Sequence, residues 1–328
     1  MRIGVIGLGR IGLMHAQNLL KSPRSTEVLF ADAVPEAAQQ AAAQLGQGTA
    51  VELDQLFSAQ PEAVIISAAT SAHRELIERS VLAGIPVFCE KPVAPSSQEA
   101  QELVDFVAAN HGIVQIGHQR RFDAGYLRAR AEFSSGKLGR LHSIRAITAD
   151  ARPPAIRFLA SSDGLFRDCS VHDFDIIRWL TGQEIVEGYA KGSNRGDPEI
   201  GQVGDVDTAV AMFTLADGTL ATVVATRYNG AGHDVRLELQ GSEGTACVGL
   251  DERSALHSVE RGVTFPHKSA HETFMERFTD EYQSQLEHFL ALARGEAENP
   301  CTVAESAVAS RIADAAQASL SGGRPVRT

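Results

Sequence analysis

An aspartate and a histidine stand four residues apart at the start of a segment with helical periodicity. Asp168 and His172 precede an apolar stretch that includes Ile176, Ile177 and Leu180. Residues four apart share one face of a helix, so we expect the Asp168 carboxylate to fix the tautomer of the His172 imidazole and raise its basicity. A histidine titrates near neutrality, which suits a general base that removes a hydroxyl proton. For so short a motif, a capping aspartate beside a solvent-facing or core histidine is the alternative.

A lysine follows a short apolar strand in the segment Glu90-Lys91-Pro92. The strand is predicted to be the fourth of a parallel sheet, and ligands of open parallel sheets bind beyond the carboxyl ends of the strands. We therefore expect Lys91 to face a ligand crevice. Its ammonium group could hydrogen-bond a reacting hydroxyl and stabilise negative charge on the oxygen. A solvated surface lysine is the alternative when this residue is considered alone.

Three glycines indicate a nucleotide-binding turn. Gly7, Gly9 and Gly12 form a GxGxxG motif directly after the first apolar strand and before a helix that begins near Arg10. The first glycine permits the tight turn, the second lets the backbone approach a pyrophosphate, and the third allows close contact between helix and strand. The positive end of the helix attracts the phosphates. The motif is weak as a bare string, but its strand–turn–helix setting predicts a dinucleotide site.

An aspartate at the end of the second strand bears on the kind of dinucleotide. Asp32 stands about 20 residues beyond the glycine motif, where a carboxylate can accept hydrogen bonds from the ribose hydroxyls and would repel a 2′-phosphate. Ala33 and Val34 follow, so no cation is present to neutralise such a phosphate. NAD is therefore favoured over NADP. Asp32 could also cap the helix that starts at Pro35, and this role does not exclude the first.

The elements that must position these residues follow two patterns. Up to about Arg120, apolar strands alternate with helical segments, which predicts a parallel sheet. After about Phe122 the strands are longer and alternate in polarity, as in antiparallel sheets. The Asp217-Gly218 pair predicts a hairpin with a primed turn. Helices are predicted over 279–292 and 303–319. The predicted strands are 3–7, 27–31, 63–68, 86–89 and 113–117 in the first part, and 141–148, 208–215, 219–227 and 234–240 in the second.

Composition limits the class of protein. The 328 residues are 44% hydrophobic, which is enough for two domains. A formal net charge of -11 argues against a nucleic-acid partner and favours a small-molecule one. The four cysteines form no CxxC pair and no HExxH motif is present, so we expect neither disulfides nor a metal site. No apolar run approaches about 18 residues and no leader pattern opens the chain, so we expect a cytoplasmic protein without membrane contact.

With these residues, the chain resembles the Gfo/Idh/MocA oxidoreductase family, and within it most closely the inositol 2-dehydrogenases. The resemblance spans nearly the whole length. It implies an α/β protein with a Rossmann domain over 1–121, and a second α/β domain over 122–328 with a large open, mostly antiparallel sheet. The helix near 303–319 is a candidate to pack back on the Rossmann domain. The segments that carry the resemblance are 7–12, Ala69-Thr70-Ser71 with His73, Ala83-Gly84, Glu90-Lys91-Pro92, Arg121-Phe122-Asp123, 164–180, 205–209, 232–244 and 319–326.

The resemblance also implies an activity, the NAD-dependent oxidation of a secondary hydroxyl of a cyclic polyol to the ketone. The substrate that it implies first is an inositol. Lys91, Asp168 and His172 would form the catalytic triad, with His172 as the base. The implied partners are the small substrate and further copies of the chain, in a dimer or tetramer. The implied substrate contacts are Lys91, Arg120, Asp150, Cys169, His172 and His233. The implied cofactor contacts are Gly7, Gly9, Arg10, Ile11, Gly12, Asp32, Ala69, Thr70, His73, Glu90, Lys91 and Gln119.

Several positions depart from the family pattern near the implied substrate. They leave the chemistry intact but bear on which substrate fits, so scyllo-inositol and an aldose such as glucose stay open as alternatives. Arg120 could instead pair with a neighbouring acid at the surface, and Asp150 could be an ordinary turn residue. The departures are Ser71 where relatives have Pro or Asn, His233 where Tyr is frequent, and Ala149 and Ala151 beside Asp150.

Two further alternatives keep the fold and change the function. One is a nucleotide-binding sensor without turnover, since a fold does not guarantee a function. The joint presence of Lys91 and His172 favours an enzyme, because a sensor would be free to lose them. The other alternative is an NADP-dependent or ketone-reducing enzyme, and Asp32 is the residue that argues against NADP.

Overall fold

The computed structural model describes all residues from Met1 to Thr328. The chain forms two compact units, Met1–Gln119 with Asp280–Val308, and Arg120–Thr279 with Ala309–Thr328. The sequence prediction put one boundary after residue 121 and assigned 122–328 to the second domain, with the helix near 303–319 as a candidate to pack back on the first. The segment Asp280–Val308 lies with the first unit, because apolar side chains such as Phe289 belong to the core of the first sheet.

The first unit is built on a six-stranded sheet whose strands are β1 (Arg2–Ile6), β2 (Glu27–Ala31), β3 (Thr49–Ala50), β4 (Ala63–Ile66), β5 (Val87–Cys89) and β6 (Val114–Ile116). The order is β3-β2-β1-β4-β5-β6, and every neighbouring pair is parallel. This is the doubly wound Rossmann order, in which the direction of winding reverses between β1 and β4. Five strands lie where the alternation predicts them, whereas the two-residue β3 is too short to give a sequence signal.

Helices cover both faces of this sheet, and local sequence signals mark the ends of some of them. The helix after Ser96 begins with the Ser96 hydroxyl accepting a hydrogen bond from the Glu99 N–H. Pro35 opens another helix, and Gly46 closes it with a φ of 66°. The helices of this unit are α1 (Arg10–Lys21), α2 (Pro35–Leu45), α3 (Leu53–Ser58), α4 (Thr70–Leu82), α5 (Ser97–Ala109) and α11 (Thr279–Ala293), the last of which begins one residue before the segment that joins this unit.

The second unit is built on a seven-stranded mixed sheet whose strands are β7 (Leu141–Ala149), β8 (Ile185–Ser193), β9 (Thr208–Leu215), β10 (Leu220–Thr226), β11 (Asp234–Gly241), β12 (Thr245–Val248) and β13 (Val326–Arg327). The order is β12-β11-β7-β10-β9-β8-β13. The pair β7–β10 is parallel and all other pairs are antiparallel. The predicted fold class, a Rossmann domain followed by an α/β domain with a mostly antiparallel sheet, is confirmed.

The hairpin between β9 and β10 forms at the predicted dipeptide but with another turn. Gly218 has a φ of 89°, while Asp217 is not among the residues with positive φ. A primed two-residue turn of type I′ needs positive φ at both positions, so that turn is absent here. The Gly218 N–H donates to the Leu215 carbonyl, which makes a tight turn followed by a left-handed glycine. The Asp217 carboxylate accepts from the Thr219 N–H and stabilises this form.

The helices of the second unit pack on one face of its sheet or connect its strands. A 3₁₀ turn over Gln119–Phe122 precedes α6 (Ala124–Ser134), and a π-helical turn over Phe166–Ser170 leads directly into α8 (Val171–Thr181). The last helix, α12, begins in the first unit, where Val303 and Ala307 join the apolar core. None of the helices combines the length and the apolar composition of a membrane span. The bounds are α6 (Ala124–Ser134), α7 (Ile156–Leu159), α8 (Val171–Thr181), α9 (Pro198–Gln202), α10 (Phe274–Arg277) and α12 (Val303–Gly322).

Candidate active site

The glycine turn after β1 has three different environments at its three glycines. Gly7 has a φ of 92°, in the left-handed region that favours glycine. A Cβ added to Gly12 would lie 1.9 Å from the Gly7 carbonyl oxygen, so α1 can approach β1 this closely only without a side chain there. A Cβ at Gly9 would meet no atom within 4 Å. The backbone at Gly9 is therefore open to a ligand, as a pyrophosphate site requires.

Asp32 lies at the end of β2 and is anchored by the backbone on both of its oxygens. Its Oδ2 accepts from the Leu8 N–H at 2.7 Å, and its Oδ1 accepts from the Val34 N–H at 2.9 Å. Helix α2 has Val34 as its N-cap, so Asp32 is not the capping residue. Each carboxylate oxygen can accept more than one hydrogen bond. The carboxylate is held beside the glycine turn and keeps capacity for ribose hydroxyls.

Glu90 and Lys91 follow β5, at the same sheet edge as the glycine turn. The Glu90 Oε1 lies 2.8 Å from Nε2 of His15, a fully buried residue of α1. A Cβ at Gly117, just beyond β6, would stand 3.0 Å from this carboxyl group, so glycine leaves the space that Glu90 fills. Lys91 is partly exposed. The sequence prediction overlooked His15, although a histidine on the apolar face of α1 was a usable signal.

The remaining predicted cofactor residues lie around the ends of β1, β4 and β6. His73 is buried, with Nδ1 2.9 Å from the Pro92 carbonyl oxygen and Nε2 3.1 Å from that of Ala68. Its observed contacts connect α4 to the loop that carries Lys91, and a direct contact with a cofactor stays a prediction. Of the others, Arg10 and Ile11 open α1, Ala69 and Thr70 open α4, and Gln119 is buried in the 3₁₀ turn.

Three polar residues of the second unit lie at one edge of its sheet because of the strand register. Thr226 of β10 and Asp234 of β11 both pair with Ala149 of β7. Since β7 and β10 run parallel and β11 runs against them, the residues just beyond these positions, Asp150, Arg227 and His233, share this edge. The Asp150 Oδ1 lies 3.3 Å from the His233 Nδ1.

The π-helical turn brings Asp168 and Cys169 to the sheet edge that carries Asp150 and Arg227. The Val171 N–H donates to the Phe166 carbonyl, an i→i+5 bond that widens the backbone before α8. Such turns are frequent at functional sites. Cys169 Sγ lies 3.8 Å from Asp150 Oδ2. His172 is the second residue of α8 and is partly exposed.

Arg227 connects this cluster and was not identified from the sequence. Its Nη1 lies 2.7 Å from Asp168 Oδ2, 3.0 Å from Cys169 Sγ and 3.5 Å from Asp150 Oδ2. Burial lowers the pKa of Arg227, but the acidic groups of Cys169, Asp168 and Asp150 raise it more, so the pKa lies above its ordinary value. Arg227 is therefore a fixed positive charge. An arginine directly after an alternating strand was the available signal.

Arg120 occupies a different place from a simple substrate contact. It is buried, with Nη1 2.5 Å from Asp173 Oδ1 and Nη2 2.8 Å from the Thr148 hydroxyl. The alternative prediction that Arg120 pairs with a neighbouring acid is correct, but the pair is buried and not at the surface. Arg121 forms a parallel buried pair with Asp175, at 2.5 and 2.9 Å. Binding of substrate by Arg120 stays a prediction, and its observed contacts fix α8 against β7.

Comparisons with known proteins agree with this architecture. A model of an oxidoreductase family with an NAD-binding Rossmann fold matches residues 1–118, and a model of the Gfo/Idh/MocA C-terminal domain matches residues 126–247. The chain belongs to the Gfo/Idh/MocA oxidoreductase family. This confirms the family, the class of enzyme and the NAD-binding domain that the sequence motifs predict.

Relatives match this family member along nearly its whole length. It is 35% identical to a myo-inositol dehydrogenase of Streptomyces leeuwenhoekii, over 98% of each chain. It is 32% identical to an NAD(+) scyllo-inositol 2-dehydrogenase of Bacillus subtilis, over 100% of this chain and 96% of that one. A scyllo-inositol dehydrogenase from Lactobacillus casei, solved with NAD(H) and scyllo-inositol, has a TM-score of 0.90 and 29% identity, and covers 100% of this chain and 98% of its own.

Proposed function

We propose that this oxidoreductase uses NAD to oxidise a secondary hydroxyl of a cyclic polyol, an inositol, to the ketone. The observation that carries the proposal is the cluster of Asp150, Cys169, Asp168, Arg227 and His233 at one sheet edge of the second unit. The full-length similarity to dehydrogenases named for myo- and scyllo-inositol supports the same substrate class.

The residues of the first unit fit NAD. The open backbone at Gly9 and the close approach at Gly12 form the turn that a pyrophosphate needs, and the first turn of α1 carries no acidic residue to repel it. Asp32 would hold the ribose and exclude a 2′-phosphate. NAD supplies the hydride acceptor, while the protein supplies binding and orientation.

The proposed chemistry divides between an acid–base group and a charge-stabilising group. As the alcohol is oxidised to the ketone, the His172 imidazole would take up the proton that the hydroxyl group loses. Lys91 would hydrogen-bond the reacting oxygen and stabilise its negative charge. Asp168 would orient the histidine and stabilise its imidazolium form.

A neutral, hydroxyl-rich substrate suits the charges of the second unit. Asp150, Asp168 and Asp205 all lie within 3.8 Å of the single guanidinium of Arg227, so the cluster has more negative than positive charge. It would therefore repel uronic acids and sugar phosphates. If His233 Nδ1 donates to Asp150, its Nε2, which is buried without a hydrogen-bond partner, can accept a hydrogen bond from a substrate hydroxyl.

The test is an NADH absorbance assay of the purified protein with NAD. Myo-inositol, scyllo-inositol, other inositol isomers and aldoses are offered separately, beside glucuronate and an inositol phosphate. We expect turnover on one or more inositols and none on the anionic compounds. Turnover on aldoses alone would move the enzyme to a sugar-oxidising function, and NAD binding without any turnover would favour a sensor.

Variants test the catalytic roles separately from the substrate. His172→Ala should lower kcat by about 10² to 10⁴ while NADH affinity stays nearly unchanged. Lys91→Met should also remove most activity. The exposed residues His142 and Lys137 provide matched controls, because His142→Ala and Lys137→Met change the same side chains away from the site. Wild-type turnover in either site variant would remove the role assigned to that residue.

We also propose a cytoplasmic homo-oligomer that associates through the open face of the second sheet. Val210, Met212 and Leu220 project from neighbouring strands β9 and β10 and are about half exposed, at 45%, 56% and 58%. No disulfide joins the four cysteines, which suits a reducing compartment. Met212→Glu should place a charge in the interface and shift the mass measured by light scattering towards the monomer. An unchanged mass would mean that this face is not the interface.

A further inference from the structure

We infer that Arg227 is the positioning residue of the candidate active site, holding the Asp168 carboxylate and the hydroxyl-binding groups Cys169 and Asp150 in one arrangement. This inference rests on the proposed function. It concerns a residue that acts through its neighbours and not one that reacts.

The geometry supports a fixed side chain. The Arg227 side chain is 1% exposed, against 17% for Asp168 and 23% for Asp150. Its backbone N–H donates to the Asp207 carbonyl at 2.7 Å, which fixes the chain where β10 ends. A buried, anchored arginine thus faces two half-buried acids that need positioning.

Arg227 also braces the π-helical turn through a second acid. The Arg227 Nη2 lies 3.8 Å from Asp205 Oδ2, and the other oxygen of Asp205 accepts from the Leu165 N–H at 2.9 Å. Leu165 directly precedes the turn that carries Asp168 and Cys169. The turn is therefore held to Arg227 at its middle by the hydrogen bond with Asp168, and more loosely at its start by the longer ion pair with Asp205.

The chemistry of the cluster requires a guanidinium group. One planar group with several donors in a fixed fork can address Asp168 and Cys169 with one nitrogen and face Asp205 with another. A lysine ammonium keeps the charge but is a single point on a flexible stem. Without the charge, three carboxylates would repel one another within the cluster, and Asp168 would leave its position beside the helix that carries His172.

The experiment compares Arg227→Gln and Arg227→Lys with the wild type in the inositol assay. Loss of position at a reacting group costs on the order of 10²-fold in rate, so we expect kcat/KM for the polyol to fall about 10²-fold in Arg227→Gln and less in Arg227→Lys. NADH affinity, measured by fluorescence, should stay within about twofold of the wild type, since Arg227 belongs to the second unit.

Two further measurements separate positioning from a general structural role. In Arg227→Ala, guanidinium at low millimolar concentration should restore part of kcat/KM, whereas sodium at equal ionic strength should not. Arg178→Lys serves as the control and should keep full activity, because Arg178 lies on α8 but pairs with Glu184, away from the cluster. Arg227→Lys retains the charge and addresses the case in which the neutral variants fail to fold.

The outcomes are distinct from those of the proposed function. The positioning role would be overturned by an unchanged kcat/KM in Arg227→Gln. It would also be overturned if guanidinium failed to restore any kcat/KM in Arg227→Ala while Arg227→Lys was fully active. A wild-type protein that binds NADH and oxidises no polyol would instead overturn the proposed function.

Discussion

The Nε2 of His15 lies 2.8 Å from Oε1 of Glu90, which connects the helix of the glycine turn to the residue before Lys91. Both side chains are largely buried, at 0% and 13% exposed. Residues in direct contact typically show coupling energies of about 0.5–3 kcal/mol. We expect His15→Ala and Glu90→Gln to be non-additive by this amount in a double-mutant cycle followed by urea unfolding.

The same variants test the predicted contact between Glu90 and the cofactor. If Glu90 acts only through His15, the two single variants should weaken NADH binding equally, and the double variant should be no weaker. A larger loss of NADH affinity in Glu90→Gln than in His15→Ala would instead support a direct contact of Glu90 with the cofactor.

Gly9 and Gly12 should separate ligand binding from folding. Alanine at Gly12 places a Cβ 1.9 Å from the Gly7 oxygen, so Gly12→Ala should destabilise the unliganded protein by about 1–3 kcal/mol. Gly9 has a φ of -68° and no atom near its Cβ position, so Gly9→Ala should leave the thermal midpoint unchanged and weaken NAD binding. Calorimetry of both variants, with and without NAD, checks this. Equal NAD affinity in Gly9→Ala and wild type would mean that the pyrophosphate does not approach Gly9.

Asp32 should set the preference between the two nicotinamide cofactors. The double change Asp32→Ser with Ala33→Arg removes the carboxylate and adds a cation for a 2′-phosphate. Hydrogen bonds to charged groups contribute about 1.5–3 kcal/mol, so the ratio of kcat/KM for NAD over NADP should fall about 10- to 10²-fold. Ala33→Arg alone is the control and should change the ratio less. An unaltered ratio in the double variant would show that Asp32 does not contact the ribose.

His73 should make the first unit sensitive to acid. Burial lowers its pKa below the ordinary value of 6.5, and hydrogen bonds to the Pro92 and Ala68 carbonyls offset part of this. As the pH falls through about 6.5, His73 takes up a proton in the unfolded chain but not in the folded one. The free energy of unfolding is therefore unaffected by this group above about pH 6.5, and it decreases as the pH falls from there to the lowered pKa of the folded state. The loss is at most about 1.4 kcal/mol per pH unit.

His73→Asn removes this titration and keeps a donor for the Pro92 carbonyl. The variant should be less stable than the wild type at about pH 7.5, and this difference in unfolding free energy should become smaller as the pH falls to about 5, because only the wild type loses stability through His73. Urea unfolding followed by circular dichroism measures both proteins. His111→Asn, at an exposed position, should follow the wild-type profile. A constant deficit for His73→Asn across this range would mean that His73 is not the acid-sensitive group.

The features that the sequence predicted correctly depend on local signals. The glycine turn, the start of α2 at Pro35 and most strands are determined by residues within a few positions of one another, and local patterns reveal them. The parallel pairing of the first sheet follows from the alternation of strands and helices.

The features that escaped prediction depend on contacts between distant segments. Arg227 and Asp168 are 59 positions apart, and His15 and Glu90 are 75 positions apart. The apolar stripe of α11 has the same pattern whichever sheet it covers, so its membership of the first unit could not be inferred. The buried pairs of Arg120 with Asp173 and of Arg121 with Asp175 likewise join residues 53 and 54 positions apart, and no local pattern indicates them.

The return of Asp280–Val308 to the first unit has a consequence for how the chain is made. Part of one face of the first sheet is covered by Leu286, Phe289 and Leu290, which the ribosome adds only after the whole of Arg120–Thr279. At typical rates of synthesis this interval lasts on the order of ten seconds. During that time the first sheet exposes the apolar surface that these residues later cover, and the surface is closed only when the segment Asp280–Val308 has been made.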